Sequence, residues 1–247
     1  MSHPNTDELQ YHIRCKTGDV GRYVLMPGDP GRVPLIAAYL DDASEVSFNR
    51  EYRIYTGSLD GVAVSVCSTG IGCPSTAIAI EELVRCGADT FVRVGTSGRM
   101  QPNMSAGDLI VATAAIRDEG TSQQYLPLAF PAVADPLVVQ ALMAGCRAEN
   151  APFHTGVVHS KDSFYGEVET ARMPLAEQLQ ARWRAWVGGG ALCSEMEAAT
   201  LFVVASVLRK RAGALMLAEA HDGMDRLCRA AVSGIRELIR SDVSLQR

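Results

Sequence analysis

Two arginines stand beside glycine-rich stretches, and each pairing suits the capture of a small anion. Arg32 follows Gly28-Asp29-Pro30-Gly31, and Arg93 precedes Gly95-Thr96-Ser97-Gly98. A third stretch, Gly70-Ile71-Gly72, has the same character. Glycine turns can aim backbone N–H groups at an anion, and a guanidinium fork matches phosphate geometry better than an ammonium does. Glycines also make tight turns in any α/β fold; the neighbouring arginines are what give these stretches weight. Arg93 interrupts the apolar run Phe91-Val92-Arg93-Val94, where a charge is costly unless it is paired with an anion. The competing reading of Gly70-x-Gly72-x-x-Ser75 is a dinucleotide site. It lacks the third glycine, and the next strand ends in Arg93-Val94-Gly95 rather than in an acid that would hold a ribose.

The acidic chemistry sits further along. Ser194-Glu195-Met196-Glu197 precedes an apolar helix and has the S-x-x-E spacing of a capping box. Near the end, His221 and Asp222 follow an apolar strand. Cys67 and Cys73, near the second glycine turn, read as small buried hydrophobes rather than reactive thiols.

These residues need elements to position them, and strand-like and helix-like segments alternate. Strands are expected over 22–26, 54–59, 62–67, 90–94, 108–115, 154–159 and 214–218. Helices are expected over 33–40, 74–85, 136–149, 195–208 and 228–240. Asp60-Gly61 is a hairpin signal between two of the strands. The alternation points to an α/β fold with both sheet faces covered, and the hairpin to a mixed sheet. No repeat or linker divides the chain, so 1–247 reads as a single domain. In such sheets ligands gather at the carboxyl ends of strands, where the three glycine stretches are expected to lie.

Composition narrows the partners. The 247 residues carry a net charge of −5, with 47% apolar and 21% charged residues. That balance disfavours nucleic acid but leaves room for a local arginine cluster. The seven cysteines form no C-x-x-C pair, so a metal cage or disulfide framework is not expected and a reducing, cytoplasmic setting is. The polar start MSHPNTDELQ lacks a secretion-signal core. No apolar run is long enough to span a membrane.

At these same residues the sequence resembles the nucleoside phosphorylase family, and within it the uridine phosphorylases. The matching pieces are Met26-Pro-Gly-Asp-Pro-Gly-Arg32, Asn49-Arg-Glu51, Cys67-Ser-Thr-Gly-Ile-Gly72 with Pro74-Ser-Thr76, Arg93-Val-Gly-Thr-Ser-Gly98, Pro127-Leu128 with Phe130-Pro-Ala-Val-Ala-Asp135, Asp162-Ser-Phe-Tyr165, and Glu195-Met-Glu197. The resemblance implies a three-layer αβα fold with a mixed, partly barrel-like central sheet. It implies phosphorolysis of a nucleoside, most readily uridine, to free base and ribose 1-phosphate, with inorganic phosphate as co-substrate and no required cofactor. Gly28, Arg32, Arg93 and Thr96 then bind phosphate, joined by Arg50 from a neighbouring subunit. His12, Thr96, Met196 and Glu197 serve the ribose, and Phe164, Glu167 and Arg172 the base. Arg93, Glu197 and Asp222 are the implied catalytic groups. Glu51, Ile71 and Ser75 match positions that hold a monovalent cation, potassium, between subunits. The implied assembly is a homodimer unit, built up into a hexamer.

The base end departs from the family pattern. Relatives place a glutamine where this chain has Glu167, and an ionised glutamate accepts hydrogen bonds but donates none. Purine nucleoside phosphorylase therefore stands as an alternative. So do a nucleosidase, which Arg32, Arg50 and Arg93 disfavour, and a catalytically silent nucleoside-binding protein.

Overall fold

The computed structural model describes residues 8–219 and 222–245. The strands are β1 (Tyr23–Met26), β2 (Asp41–Asn49), β3 (Tyr52–Leu59), β4 (Val62–Cys67), β5 (Thr90–Arg99), β6 (Leu109–Asp118), β7 (Ala132–Val133), β8 (Phe153–Lys161), β9 (Cys193–Glu195) and β10 (Arg211–Ala218). The helices are α1 (Val33–Ala37), α2 (Cys73–Arg85), α3 (Pro136–Ala148), α4 (Phe164–Val168), α5 (Ala176–Gly188), α6 (Ala198–Val207) and α7 (Met224–Leu245).

The central strands are near-continuous apolar runs because both of their faces are covered. One core, including Phe91, Ala214 and Met216, packs under α2 and α6. The other, including Val92, Val94, Leu215 and Leu217, packs under α1, α3 and α7. Alternate residues of β5 and β10 thus face opposite layers, which gives the αβα sandwich that the resemblance implies. Most residues of α6 are buried, since it lies between the sheet and α2. The α3–α7 contact is close: a Cβ at Gly145 would stand 2.4 Å from the Ala230 carbonyl oxygen.

The sheet is mixed and partly closed. β10 pairs with both β5 and β6, and the circuit β10–β6–β8–β9–β5 returns to β10. From β5 the sheet continues through β1, β4, β3 and β2. The Asp60-Gly61 turn has positive φ at both residues, 51° and 78°, as a two-residue hairpin with native twist requires.

Several expectations are corrected. The strand expected over 90–94 runs on to Arg99, so residues 95–98 are strand rather than turn. They pair with β10 and β9, Gly95 opposite Met216 and Gly98 opposite Ser194. The helix expected from 195 begins at Ala198, because Cys193–Glu195 adds a short strand to the sheet first. The helix expected over 33–40 stops at Ala37. β2 and α5 are among the additions to the expected elements; α5 has no buried residue, and β2 is a mostly exposed edge.

Candidate active site

The loops after β1 and β4 are lashed together. Thr69 N–H donates to the Pro27 carbonyl at 2.9 Å, and a Cβ at Gly28 would sit 3.2 Å from the Gly70 carbonyl oxygen. Asp29 accepts from Gly31 N–H at 2.8 Å and fixes the single 3-10 turn that launches Arg32. Arg32 Nη1 is buried with no hydrogen-bond partner among the described residues. Burial and the neighbouring Arg93 guanidinium hold its pKa below the usual arginine value. Asp29, 3.9 Å away, offsets this only weakly. A partly buried guanidinium disfavoured by a second one beside it suits an anion.

Arg93 lies inside β5. Gly95 is what lets its side chain fold back along the strand: a Cβ there would stand 2.8 Å from the guanidinium. Arg93 Nε is 2.7 Å from a Glu195 oxygen, and Nη2 is 2.5 Å from a Glu197 oxygen. The buried arginine is thus already balanced by carboxylates of the protein. Those carboxylates raise its pKa against the opposing effect of burial. Nη1 still has no partner among the described residues, and the Nε–H is not directed at Glu195. The Glu195 contact is therefore coulombic rather than a well-aimed hydrogen bond.

Glu197 receives the Gly72 N–H at 2.6 Å on its other oxygen. Gly72 has φ 100°, a conformation that glycine adopts readily and other residues rarely do. Burial raises the Glu197 pKa, and Arg93 opposes the rise. Glu195 caps α6 by accepting from Glu197 N–H at 2.9 Å and Ala198 N–H at 3.0 Å. Ser160 Oγ donates to Glu195 and accepts from Ala199 N–H. The capping box expected at Ser194 is therefore replaced by a Glu195–Ser160 cap, because Ser194 belongs to β9.

Ser194 instead meets a polar cluster. Its hydroxyl lies 2.5 Å from a Glu167 oxygen, 2.7 Å from Lys161 Nζ and 3.0 Å from His159 Nδ1. Lys161 Nζ also reaches the same Glu167 oxygen at 2.9 Å, and His159 Nε2 reaches Asp118 at 3.0 Å. Burial pushes the His159 pKa down to about 4, partly offset by Glu167. The other Glu167 oxygen faces β5: a Cβ at Gly98 would lie 3.8 Å from it. The cluster floors a cavity of about 480 Å³ whose apolar wall is Leu179, Trp183 and Trp186. Phe164 and Tyr165, at the start of α4, are exposed and meet edge to face at 5.4 Å; Phe164 is not core. Arg172 turns outward to Glu169 and lies over the Tyr165 ring, away from Glu167.

With this geometry in view, comparison with known proteins is decisive. Residues 22–234 match the phosphorylase superfamily. The chain belongs to that superfamily. Among its relatives, a uridine phosphorylase of Treponema pallidum (strain Nichols) is 45% identical over 249 residues, covering 95% of this chain and 96% of the relative. A uridine phosphorylase of Thermococcus kodakarensis is 50% identical over 221 residues, covering 85% and 77%. A guanosine phosphorylase of Halorubrum lacusprofundi is 39% identical over 240 residues, covering 94% and 95%.

The remaining expected residues are spread over several segments of this superfamily member. His12 Nδ1 is 2.6 Å from Glu82, which also accepts from the His12 and Ile13 N–H groups. Arg50 occupies the β2–β3 turn with φ 55° and lies over the Tyr11 ring, 5.7 Å from its centroid. Neither His12 nor Arg50 bonds Arg32, Arg93 or Glu197 among the described residues. Thr96 is half-buried, two residues beyond Val94 on β5. Met196 is half-buried, and its carbonyl accepts from the Cys73 thiol at 3.2 Å. Glu51 and Ser75 flank Gly70, where a Cβ would stand 2.9 Å from Glu51 Cγ and 3.5 Å from Ser75 Oγ; Ile71 is 80% exposed beside them. Asp222 is exposed, after β10; His221 lies outside the described residues. No described helix is long and apolar enough to cross a membrane.

Sequence reasoning assigned no role to Glu195, Ser160, His159 or Lys161. The signal for Glu195 was its i, i+2 spacing from Glu197, which becomes informative once a short strand ends between them. His159 and Lys161 alternate on one strand, but their common partner Ser194 is remote in sequence.

Proposed function

We propose that this superfamily member cleaves the N-glycosidic bond of a nucleoside with inorganic phosphate, releasing free base and ribose 1-phosphate, and that uridine is its primary substrate. The observation that carries the reading is the pair Arg32 and Arg93, each with a buried N–H lacking a partner among the described residues. Phosphate attacks the anomeric carbon, the bond to the base nitrogen breaks, and that electron pair leaves with the base. The transition state resembles an oxocarbenium ion, so the work of the protein is positioning and electrostatics. Arg32, Arg93, the Gly28 backbone and Thr96 hold the phosphate. Glu197 accepts the ribose hydroxyls and favours positive charge on the sugar, above Met196. Phe164 stacks on the base, and Asp222 is the acid available to a leaving base.

A neighbouring subunit completes the site in this reading. Arg50 reaches the neighbour's phosphate and His12 the neighbour's ribose, which makes a homodimer the working unit and a hexamer of such dimers the assembly. The all-oxygen donor set of Glu51, the Ile71 carbonyl and Ser75 fits potassium, which would supply charge balance at the subunit contact. All seven cysteines are buried and free, in keeping with a cytoplasmic enzyme. The test is a nucleoside panel incubated with and without phosphate and resolved by chromatography. Cleavage that requires phosphate and yields ribose 1-phosphate supports the reading. Cleavage in its absence makes the protein a nucleosidase, and tight binding without turnover makes it a silent binder.

Glu167 favours a second reading for the base. Its free oxygen accepts an N–H, such as N3–H of uracil, but repels a flanking carbonyl, whereas the adjacent N–H donors of guanine suit a carboxylate. Glu167→Gln supplies a donor and is expected to raise kcat/KM for uridine relative to guanosine by about tenfold, the effect of one neutral hydrogen bond. A ratio of the two kcat/KM values unchanged from the parent enzyme removes Glu167 from base selection.

A further inference from the structure

Away from the anion pocket, three segments bring together a thiol and two carboxylates. Ligand atoms of Cys73, Glu119 and Asp162 all lie within 4.8 Å of one another. Glu119 is 3% exposed. One of its oxygens accepts from Ser122 N–H at 2.9 Å and Thr200 Oγ at 3.0 Å. The other, Oε1, is buried with no hydrogen-bond partner among the described residues. Leaving a carboxylate oxygen buried and unmatched is costly, and the groups beside the Glu119 carboxylate are metal-ligand types. Asp162 uses one oxygen for Gly120 N–H at 2.9 Å, leaving the second available. The Cys73 thiol donates to the Met196 carbonyl at 3.2 Å and lies beside the Thr200 hydroxyl.

We propose that Cys73, Glu119 and Asp162 form a binding site for a thiophilic divalent metal ion of the zinc class. The donor set selects the class. Hard cations such as magnesium and calcium ask for six or more oxygens, whereas one thiolate with two carboxylates and a water is a four-coordinate zinc set. Binding releases the thiol proton to solvent, so three anionic ligands surround a dication. Sulfur and oxygen atoms bound to one tetrahedral zinc stand about 3.5 Å apart, so from separations within 4.8 Å the cluster tightens by at most about 1.3 Å. Asp162 is exposed and can supply that movement. The site ties together the start of α2, the turn after β6 and the loop before α4. Cys73 adjoins Gly72, the Glu197 partner, and Asp162 precedes Phe164 by two residues, so an ion here fixes the base-side loop against the sugar-side loop.

The test uses the reduced, metal-free full chain, titrated with Zn2+ by calorimetry and with Co2+ by absorbance. One equivalent of each is expected to bind, with release of about one proton from sulfur and a near-ultraviolet thiolate-to-cobalt band. Cys73→Ala is expected to abolish the band and weaken Zn2+ binding by about 100-fold or more, since even outer-shell losses cost 10- to 100-fold. Asp162→Asn retains an acceptor for Gly120, leaves the fold intact and is expected to weaken Zn2+ by at least about tenfold. Absence of the band in the parent protein, its persistence in Cys73→Ala, or equal Zn2+ affinity in the parent and both variants overturns the proposal.

Discussion

Arg93→Met is expected to abolish phosphorolysis and to destabilise the fold by about 3–5 kcal/mol, the usual cost of breaking a buried ion pair from one side. The two effects share one cause. Arg93 sits 2.7 Å from Glu195 and 2.5 Å from Glu197, so its removal leaves two buried carboxylates facing one another. Thermal denaturation at neutral pH should show a fall in Tm of about 10 °C for a chain of this size. The loss carries a pH signature. Burial raises the Glu197 pKa even with Arg93 present, and without the arginine it rises further. A carboxyl whose folded-state pKa is raised binds its proton more tightly when folded. The stability of the variant is therefore greatest below the unfolded carboxyl pKa and is lost as pH rises through the raised folded value. Arg93→Lys separates the roles, because it keeps the charge without the planar fork: most of the stability should return and most of the activity should not. An unchanged Tm in Arg93→Met would show that the carboxylates do not depend on Arg93.

The reason Arg93 could be singled out from sequence also explains where sequence stopped. A charge inside Phe91-Val92-Arg93-Val94 demands a counter-charge, and that demand is local and legible. What meets it is not local: Glu195 and Glu197 arrive from the opposite end of the chain, and only the pairing of β9 with β5 and β8 brings them in. The same limit applies at 95–98. Glycines there looked like a turn because a turn is the commonest reason for them, whereas Gly95 is needed as space for the Arg93 side chain. Ser194 looked like a cap because S-x-x-E is a local pattern, whereas the observed cap uses Ser160 from another strand. Local periodicity found the buried strands and α2, α3, α6 and α7 well. It failed at β2, a mostly exposed edge strand, and at α5, whose apolar stripe Leu179, Trp183 and Trp186 walls a cavity rather than packing into the core.

Glu197→Gln is the sharper test of the chemistry, because it removes the charge and keeps the side-chain shape, although its amide NH2 then meets Arg93 Nη2, where a Glu197 oxygen now stands at 2.5 Å. The amide oxygen can still accept the Gly72 N–H, a bond now 2.6 Å long, so the loop after β4 keeps its anchor. On the proposed reading, what disappears is the negative charge beside the ribose, and with it the stabilisation of positive charge on the sugar as the bond to the base breaks. The expected result is a fall in kcat of about 10²–10³, the scale of losing one preorganised electrostatic group. The KM for phosphate should change much less, since Arg32 and Arg93 remain. Comparing a ribonucleoside with its 2′-deoxy analogue then tests the hydroxyl contact by the logic of a double-mutant cycle. If Glu197 accepts from the 2′-hydroxyl, substitution and deoxygenation remove the same interaction, and the glutamine variant should lose less on the deoxy substrate than on the ribonucleoside. Strictly additive losses would place the Glu197 carboxylate away from that hydroxyl and reduce its role to holding Arg93 and Gly72 in place.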